Sequence, residues 1–327
     1  MIMIGGIAVE FITVEGLVKE YTIYEKRSFL RRNKRKVEAL KGINFTVKKG
    51  EFLGYVGPNG AGKSTTIKIL TGIMTPSSGK VKVGEYIPYK DRKKYVRNIG
   101  VVFGQKTQMW WDLPVIDTYE LLKGIYRVDE KRYKKQLDYL VDRLFLQDIL
   151  KQPVRQLSLG QRMRAELGAS MIHDPEILFL DEPTIGLDIV SKHKVVDFLK
   201  EINQQGKTIF LTTHDMRDIE KLCNEMLVLN HGDIVYKGKV EELRTIGELP
   251  IRVVAQFKRN GYDTLLNEII LGYSGTYDSD RSQLVLNLKS KKEISEIAKV
   301  LFNNYDIEDF KIEEPGIEEV IELIYTN

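Results

Sequence analysis

One cysteine, Cys223, is all the sequence holds. Without a second thiol there is no intramolecular disulfide and no cysteine cage for a metal, so the chain reads as one for a reducing, cytosolic setting. Long apolar runs are missing as well. The longest, such as 177–180 and 209–211, fall far short of the roughly 18 to 20 residues needed to cross a bilayer. The opening MIMIGGIAVEF carries neither a basic n-region nor a cleavage site, so no signal peptide is expected. With 9 prolines and 26 glycines there is no low-complexity or collagen-like signal, and no internal repeat is visible.

What remains is an ordinary globular composition, with 327 residues of which 43% are hydrophobic and 29% charged. That length accommodates one large domain and a smaller one. The net charge of +4 is unevenly spread: from residue 246 onward 9 Lys and Arg face 15 Asp and Glu, which leaves −6 there and +10 over 1–245. A basic N-terminal part suits an anionic ligand, phosphate or membrane surface without selecting among them.

Short β-rich runs alternate with helical patterns over the first three quarters of the chain, the mark of an α/β domain. Strands are predicted over 11–14, 43–47, 52–56, 80–83, 99–103, 177–181, 208–212 and 226–229, and helices over 63–71, 115–126, 131–144, 158–172, 189–204 and 216–223. A second unit, 250–327, reads as a small α+β domain with strands over 251–257, 284–288 and 307–312 and helices over 293–302 and 317–325. The basic run 25–36, EKRSFLRRNKRK, reads either as a solvated surface loop or as a contact for anionic lipid or a partner.

The octapeptide Gly57-Pro58-Asn59-Gly60-Ala61-Gly62-Lys63-Ser64, continued by Thr65, fits GxxxxGK[ST] and lies between an apolar strand and a helical pattern. Its glycines let backbone N–H groups turn toward a β-phosphate, and the helix N-terminus adds positive potential. Lys63 is placed to bridge β- and γ-phosphates, and the Ser64 hydroxyl to ligate Mg²⁺. Such a loop alone does not choose among kinases, GTPases, helicases and transport ATPases. Downstream, the apolar run ILFLD delivers Asp181 to a strand end, where it can hold a magnesium shell, and sets Glu182 beside the γ-phosphate to polarise water. Between the two motifs stands Leu157-Ser158-Leu159-Gly160-Gln161, with Ser158 a good N-cap for the helix that follows.

Together GPNGAGKST, LSLGQ, LFLDEP and GLD resemble the motif set of ABC ATPases. The signature loop, usually LSGGQ, departs from the family at Leu159. The resemblance covers 7–243 and implies further roles. Ser158 and Gly160 would touch the γ-phosphate held by an opposite subunit, with Gln161 of the same loop and Asp188 of the GLD among the nucleotide-binding residues. His214 would be the switch histidine that contacts the γ-phosphate. Gln105 would reach the magnesium or its water, and Tyr21, or Tyr24 in its place, would stack on adenine. The implied fold is an ABC-type P-loop NTPase, α/β, with a mixed-sheet core over 7–245 and a helical subdomain at about 106–172. ATP and Mg²⁺ are the implied cofactors.

The C-terminal extension ending IEEPGIEEVIELIY resembles subunits that energise ABC-2 type permeases, generally exporters. The implied partners are an integral membrane permease and a second copy or paralogue of this subunit, with the chain peripheral on the cytoplasmic face of the cell membrane. A soluble ABC ATPase acting on ribosomes or nucleic acid is the rival, and a non-catalytic regulatory protein the third possibility. The rival is disfavoured because neither a second cassette nor a long coiled coil is present, so no nucleic-acid partner is expected. Within 105–114, Met109, Trp110 and Trp111 read either as a permease-docking surface or as plugs in the helical subdomain.

Overall fold

The computed structural model describes residues 9–28, 31–104, 106–246, 249–259 and 263–326, of which 24–28, 31–34, 244–246, 291 and 326 are described by backbone alone. The chain divides into two compact units, Met1–Val240 and Glu241–Asn327.

In the first unit the strands are β1 (Glu10–Ser28), β2 (Arg31–Lys48), β3 (Phe52–Val56), β4 (Ser78–Val83), β5 (Ile99–Phe103), β6 (Ile177–Asp181), β7 (Thr208–Thr212), β8 (Glu225–Asn230) and β9 (Asp233–Lys239). The helices are α1 (Lys63–Leu70), α2 (Arg92–Tyr95), α3 (Val115–Tyr126), α4 (Glu130–Arg143), α5 (Leu159–Met171), α6 (Ile189–Gln204) and α7 (Met216–Leu222). Six strands form a sheet in the order β5-β6-β7-β3-β8-β9, with only β9 antiparallel. Its inner strands FLGYV, ILFLD and TIFLT are nearly continuous apolar runs because both faces are covered. Register then places the chemistry. Asp181 pairs with Thr212, and Thr212 with Tyr55, so β3, β6 and β7 end level and their loops share one edge.

A second, antiparallel sheet, β2-β1-β4, packs on the first through one core. Ile12, Val14, Phe45 and Val47 meet Tyr55, Phe179 and Phe210 there, and the Tyr55 and Phe210 rings lie 5.2 Å apart. Each such side chain contributes about 1.5–3 kcal/mol by burial. Strand β4 pairs only with Ile12–Val18 of β1, and beyond it β1 and β2 continue as a two-stranded ribbon as far as the Ser28↔Arg31 pair. The described part of 25–36 is therefore strand, and the surface-loop expectation is corrected. Thr22, Ile23 and Tyr24 favour strand, while the dense Lys and Arg that follow hide the alternation that marks one.

Between β5 and β6 the chain is helical. Asp129 caps α4, and Ser158 and Gln161 form a reciprocal capping box at the start of α5. Tyr119 on α3 donates to Ala165 O on α5 at 2.8 Å.

At the junction lies α8 (Val240–Ile246). The second unit contains β10 (Ile251–Phe257), α9 (Thr264–Gly272), β11 (Thr276–Asp278), β12 (Gln283–Leu288), α10 (Lys291–Asn304), β13 (Ile307–Glu313) and α11 (Ile317–Thr326). Its antiparallel sheet runs β11-β12-β10-β13, a ferredoxin-like β-α-β-β-α-β arrangement. Alternate residues Val253, Ala255 and Phe257, with Leu284, Leu286 and Leu288, form its core with Leu266, Ile297 and Leu301. Among the described residues no helix is long and apolar enough to cross a membrane.

Candidate functional site

The loop from β3 into α1 is the glycine-rich cradle read in the sequence, and its backbone turns on glycine. Gly62 caps α1 in the left-handed region at φ 114°, and a Cβ there would stand 2.6 Å from Ala39 O, so only glycine fits. Lys63 opens the helix, and its Nζ donates to Gly57 O at 2.5 Å and Pro58 O at 3.2 Å. Burial pulls the ammonium below its ordinary pKa, opposed by the charges of Glu182 and Asp181. Ser64 Oγ donates to Asp181 Oδ2 at 3.3 Å, and Thr212 Oγ1 to Asp181 Oδ1 at 2.6 Å. Across from them His214 Nδ1 lies 2.6 Å from Glu182 Oε2. A carboxylate oxygen accepts, so Nδ1 is the donor in that bond.

The loop, Asp181, Glu182 and His214 line one cleft of about 900 Å³. Gly57, Pro58, Asn59, Gly60, Gly62, Lys63, Ser64, Thr65, Asp181, Glu182 and His214 all face it, while Ala61 is buried behind and donates its N–H to Pro58 O at 3.1 Å. Gln105 lies outside the described residues. Its neighbours Gly104 and Lys106 both line the cleft, and Gly104 N donates to Asp181 O at 2.7 Å. Tyr21 stands beside the cradle: its hydroxyl lies 3.2 Å from Thr65 Oγ1 and 3.2 Å from Met74 Sδ, and Lys19 Nζ sits 5.5 Å from its ring centre. The side chain of Tyr24 is outside the described residues.

Ser158, Gly160, Gln161 and Asp188 do not line this cleft. They make a second cluster, in which Asp188 Oδ1 accepts from Ser191 N at 2.9 Å to cap α6, and hydrogen bonds with the Ser191 side chain and then its backbone hold the Asp188 carboxyl below the usual range. A Cβ on Gly160 would fall on Ser191 Oγ, so the signature turn abuts the start of α6. Leu159 has its own contact: its Cδ2 would stand 2.9 Å from a Cβ at Gly186, which takes φ 69°. The departure from the usual glycine thus fills space against the GLD turn.

Sequence reading missed Lys68 and Lys106, both in the cleft. Lys68 stands one helical turn beyond Ser64, a spacing that could have marked it. It also missed Glu166 on α5, buried and raised in pKa by that burial, which accepts from Thr107 Oγ1 and from Gln108 N at 3.1 Å. Glu166 so fastens the chain just past 105 to the helix that starts at the signature turn.

The cleft thus joins a glycine-rich loop and its lysine, a hydroxyl–carboxylate pair and a carboxylate–imidazole pair. Comparison with known proteins agrees with that chemistry. The family profile described as ABC transporter matches residues 40–185. The ABC transporter ATP-binding protein NatA of Bacillus subtilis is 30% identical over 210 residues, 64% of this chain and 85% of that protein. The daunorubicin resistance ATP-binding protein DrrA3 of Streptomyces coeruleorubidus is 30% identical over 314 residues, 94% of each chain. Among solved structures, the dimeric post-hydrolysis state of the ATP-binding cassette MJ0796 bound to ADP and Pi is similar with a TM-score of 0.59 at 26% identity, over 70% of this chain and 98% of that one. With the cleft's geometry, these similarities show that the chain belongs to the ATP-binding proteins of ABC transporters, cassettes that bind and hydrolyse ATP.

Proposed function

We propose that this cleft hydrolyses Mg²⁺-ATP to power export through a separate membrane permease. The observation that carries the reading is the 2.6 Å approach of His214 to Glu182 across the cleft from Lys63, Ser64 and Asp181. Lys63 stabilises β- and γ-phosphate charge, Glu182 polarises the attacking water, and His214 holds Glu182 and the γ-phosphate in register. Magnesium suits the oxygen donors Ser64 and Asp181, with Gln105 as a further donor. Among the described residues no group of three or more His, Cys, Asp or Glu could form a metal cage. Tyr21 stacks on adenine.

Ser158, Gly160, Gln161 and Asp188 lie off the chain's own cleft, and this supports a composite site completed by a second copy or paralogue facing head to tail. The cassette has the permease as its other partner, and we place the chain on the cytoplasmic face of the membrane. Export agrees with relatives named for daunorubicin resistance, linearmycin resistance and Nod factor export. An ABC-2 type permease agrees with the C-terminal extension. For docking, Trp110 is 44% and Trp111 48% exposed, whereas Met109 is 4% exposed and takes the core position. Arg162 lies 5.7 Å over Trp111, and the chain continues into α3 with Leu121 and Ile125 exposed one turn apart. This apolar surface suits a permease segment. The unit 250–327 serves dimerisation or regulation and makes no nucleotide contact.

The test is phosphate release by the full chain and by Lys63→Ala and Glu182→Gln, together with co-purification of the polytopic protein encoded beside it. Near-parental turnover in both variants would overturn the site, and absence of any membrane partner would favour the soluble alternative.

A further inference from the structure

Glu182 occupies left-handed backbone, φ 57°, directly before Pro183. A residue ahead of proline is drawn to extended backbone, so this conformation costs free energy and persists only where its surroundings over-determine it. On the strand side one backbone bond helps, from Glu182 N to Thr212 O at 3.0 Å. On the other side a long turn bond, Ile185 N to Glu182 O at 3.4 Å, is backed by a side chain: Thr184 Oγ1 donates to Asp218 Oδ2 at 2.6 Å.

Asp218 is 1% exposed, and a carboxylate so buried needs a cation. Lys192 on α6 supplies it. Its Nζ lies 2.8 Å from Asp218 Oδ1 and 2.5 Å from Asp215 Oδ2. The bond to Asp215 is a directed hydrogen bond, whereas the contact with Asp218 is electrostatic, since Oδ1 accepts no directed bond. Asp215 also takes Arg217 Nη2 at 3.1 Å, and Asp218 N bonds Asp215 O at 3.0 Å. One ammonium therefore fastens both members of the reacting pair: Asp215 directly follows His214, and Thr184 lies two residues past Glu182.

We propose that Lys192 and Asp218 are positioning residues that clasp the Glu182 turn to the His214 turn and so keep carboxylate and imidazole together. The inference rests on the catalytic roles given above to Glu182 and His214. Neither Lys192 nor Asp218 lines the phosphate cleft, so loss of the clasp spares nucleotide binding and strikes turnover.

The experiment uses the full chain and compares Lys192→Met, Asp218→Asn, Thr184→Val and Thr184→Ser. We expect kcat to fall about tenfold or more in the first three, with KM and ADP affinity within about twofold of the parent and turnover restored in Thr184→Ser. In single-turnover assays on a Glu182→Gln background, Lys192→Met should cost clearly less than in the parent, because the carboxylate of the positioned pair is gone. A purely structural role would instead lower binding and turnover together, or add the same factor in either background, and either result overturns the clasp. So does parental kcat in Lys192→Met and Thr184→Val. If Lys192→Met does not fold, the Thr184→Val and Thr184→Ser pair decides, since it changes one hydroxyl. Glu182→Gln alone separates the two proposals: parental turnover in it defeats the catalytic reading and the clasp with it, while an inactive Glu182→Gln beside a fully active Lys192→Met defeats the clasp alone.

Discussion

His214 Nδ1 stands 2.6 Å from Glu182 Oε2, joining residues that arrive on the ends of two neighbouring parallel strands. The bond fixes which imidazole nitrogen is left free, and so what the ring can offer a phosphate-bound water or oxygen. His214→Ala should lower kcat by about a hundredfold or more and leave ADP affinity nearly unchanged, as isothermal titration beside a phosphate-release assay will show. A loss confined to KM would place His214 in ground-state binding.

Tyr21 makes one hydrogen-bonding contact with the cradle helix, at Thr65, and in the proposed site its ring stacks on adenine. Tyr21→Ala should weaken nucleotide binding by about 1–3 kcal/mol, the usual worth of an aromatic–base stack, with a smaller effect on kcat. Tyr21→Phe keeps the ring and should bind nearly as the parent does. Equal binding by Tyr21→Ala and the parent would remove Tyr21 from the adenine site.

Both tryptophans are about half exposed, so truncating either should leave the melting temperature nearly unchanged. If they anchor the permease, Trp110→Ala or Trp111→Ala should cost about 2 kcal/mol or more in association. Assembly and transport at parental levels in both variants would exclude the docking role.

His173 gives a pH signature independent of catalysis. Its ring stacks on Tyr126 at 3.8 Å, its Nε2 lies 2.9 Å from Ile99 O, and burial pushes its pKa down to about 4. A folded pKa below the unfolded value near 6.5 means the unfolded chain takes up the proton first. Stability is therefore untouched above about pH 6.5, falls as pH drops from there toward 4, and loses on the order of 3 kcal/mol from this group. His173→Phe keeps the stacking and should flatten that part of the profile in chemical denaturation between pH 8 and 4. Parallel profiles for parent and variant would contradict it.

The sequence made the cleft legible because each motif is local and sits beside its own strand. GPNGAGKS follows FLGYV, Asp181 and Glu182 close ILFLD, and His214 follows TIFLT, so periodicity and motif agreed. Long-range relationships were hidden. Nothing in the spacing of Lys192, Asp215 and Asp218 tells which carboxylates one lysine will face once α6 and α7 pack. The fit of Leu159 against Gly186 likewise exists only after the signature turn meets the GLD turn. The ribbon of β1 and β2 escaped for another reason: pairing such as Lys26↔Arg32 brings two basic residues to one register position, a pattern that local sequence preference does not announce.

If Glu182 is the group that makes the cleft hydrolyse ATP, single-turnover phosphate release from Mg²⁺-ATP by Glu182→Gln is the decisive measurement. The substitution keeps the size of the side chain and removes its charge, so ATP should bind with near-parental affinity while phosphate release slows by about a hundredfold or more. Release at the parental rate from a folded, ATP-binding Glu182→Gln chain would contradict the account.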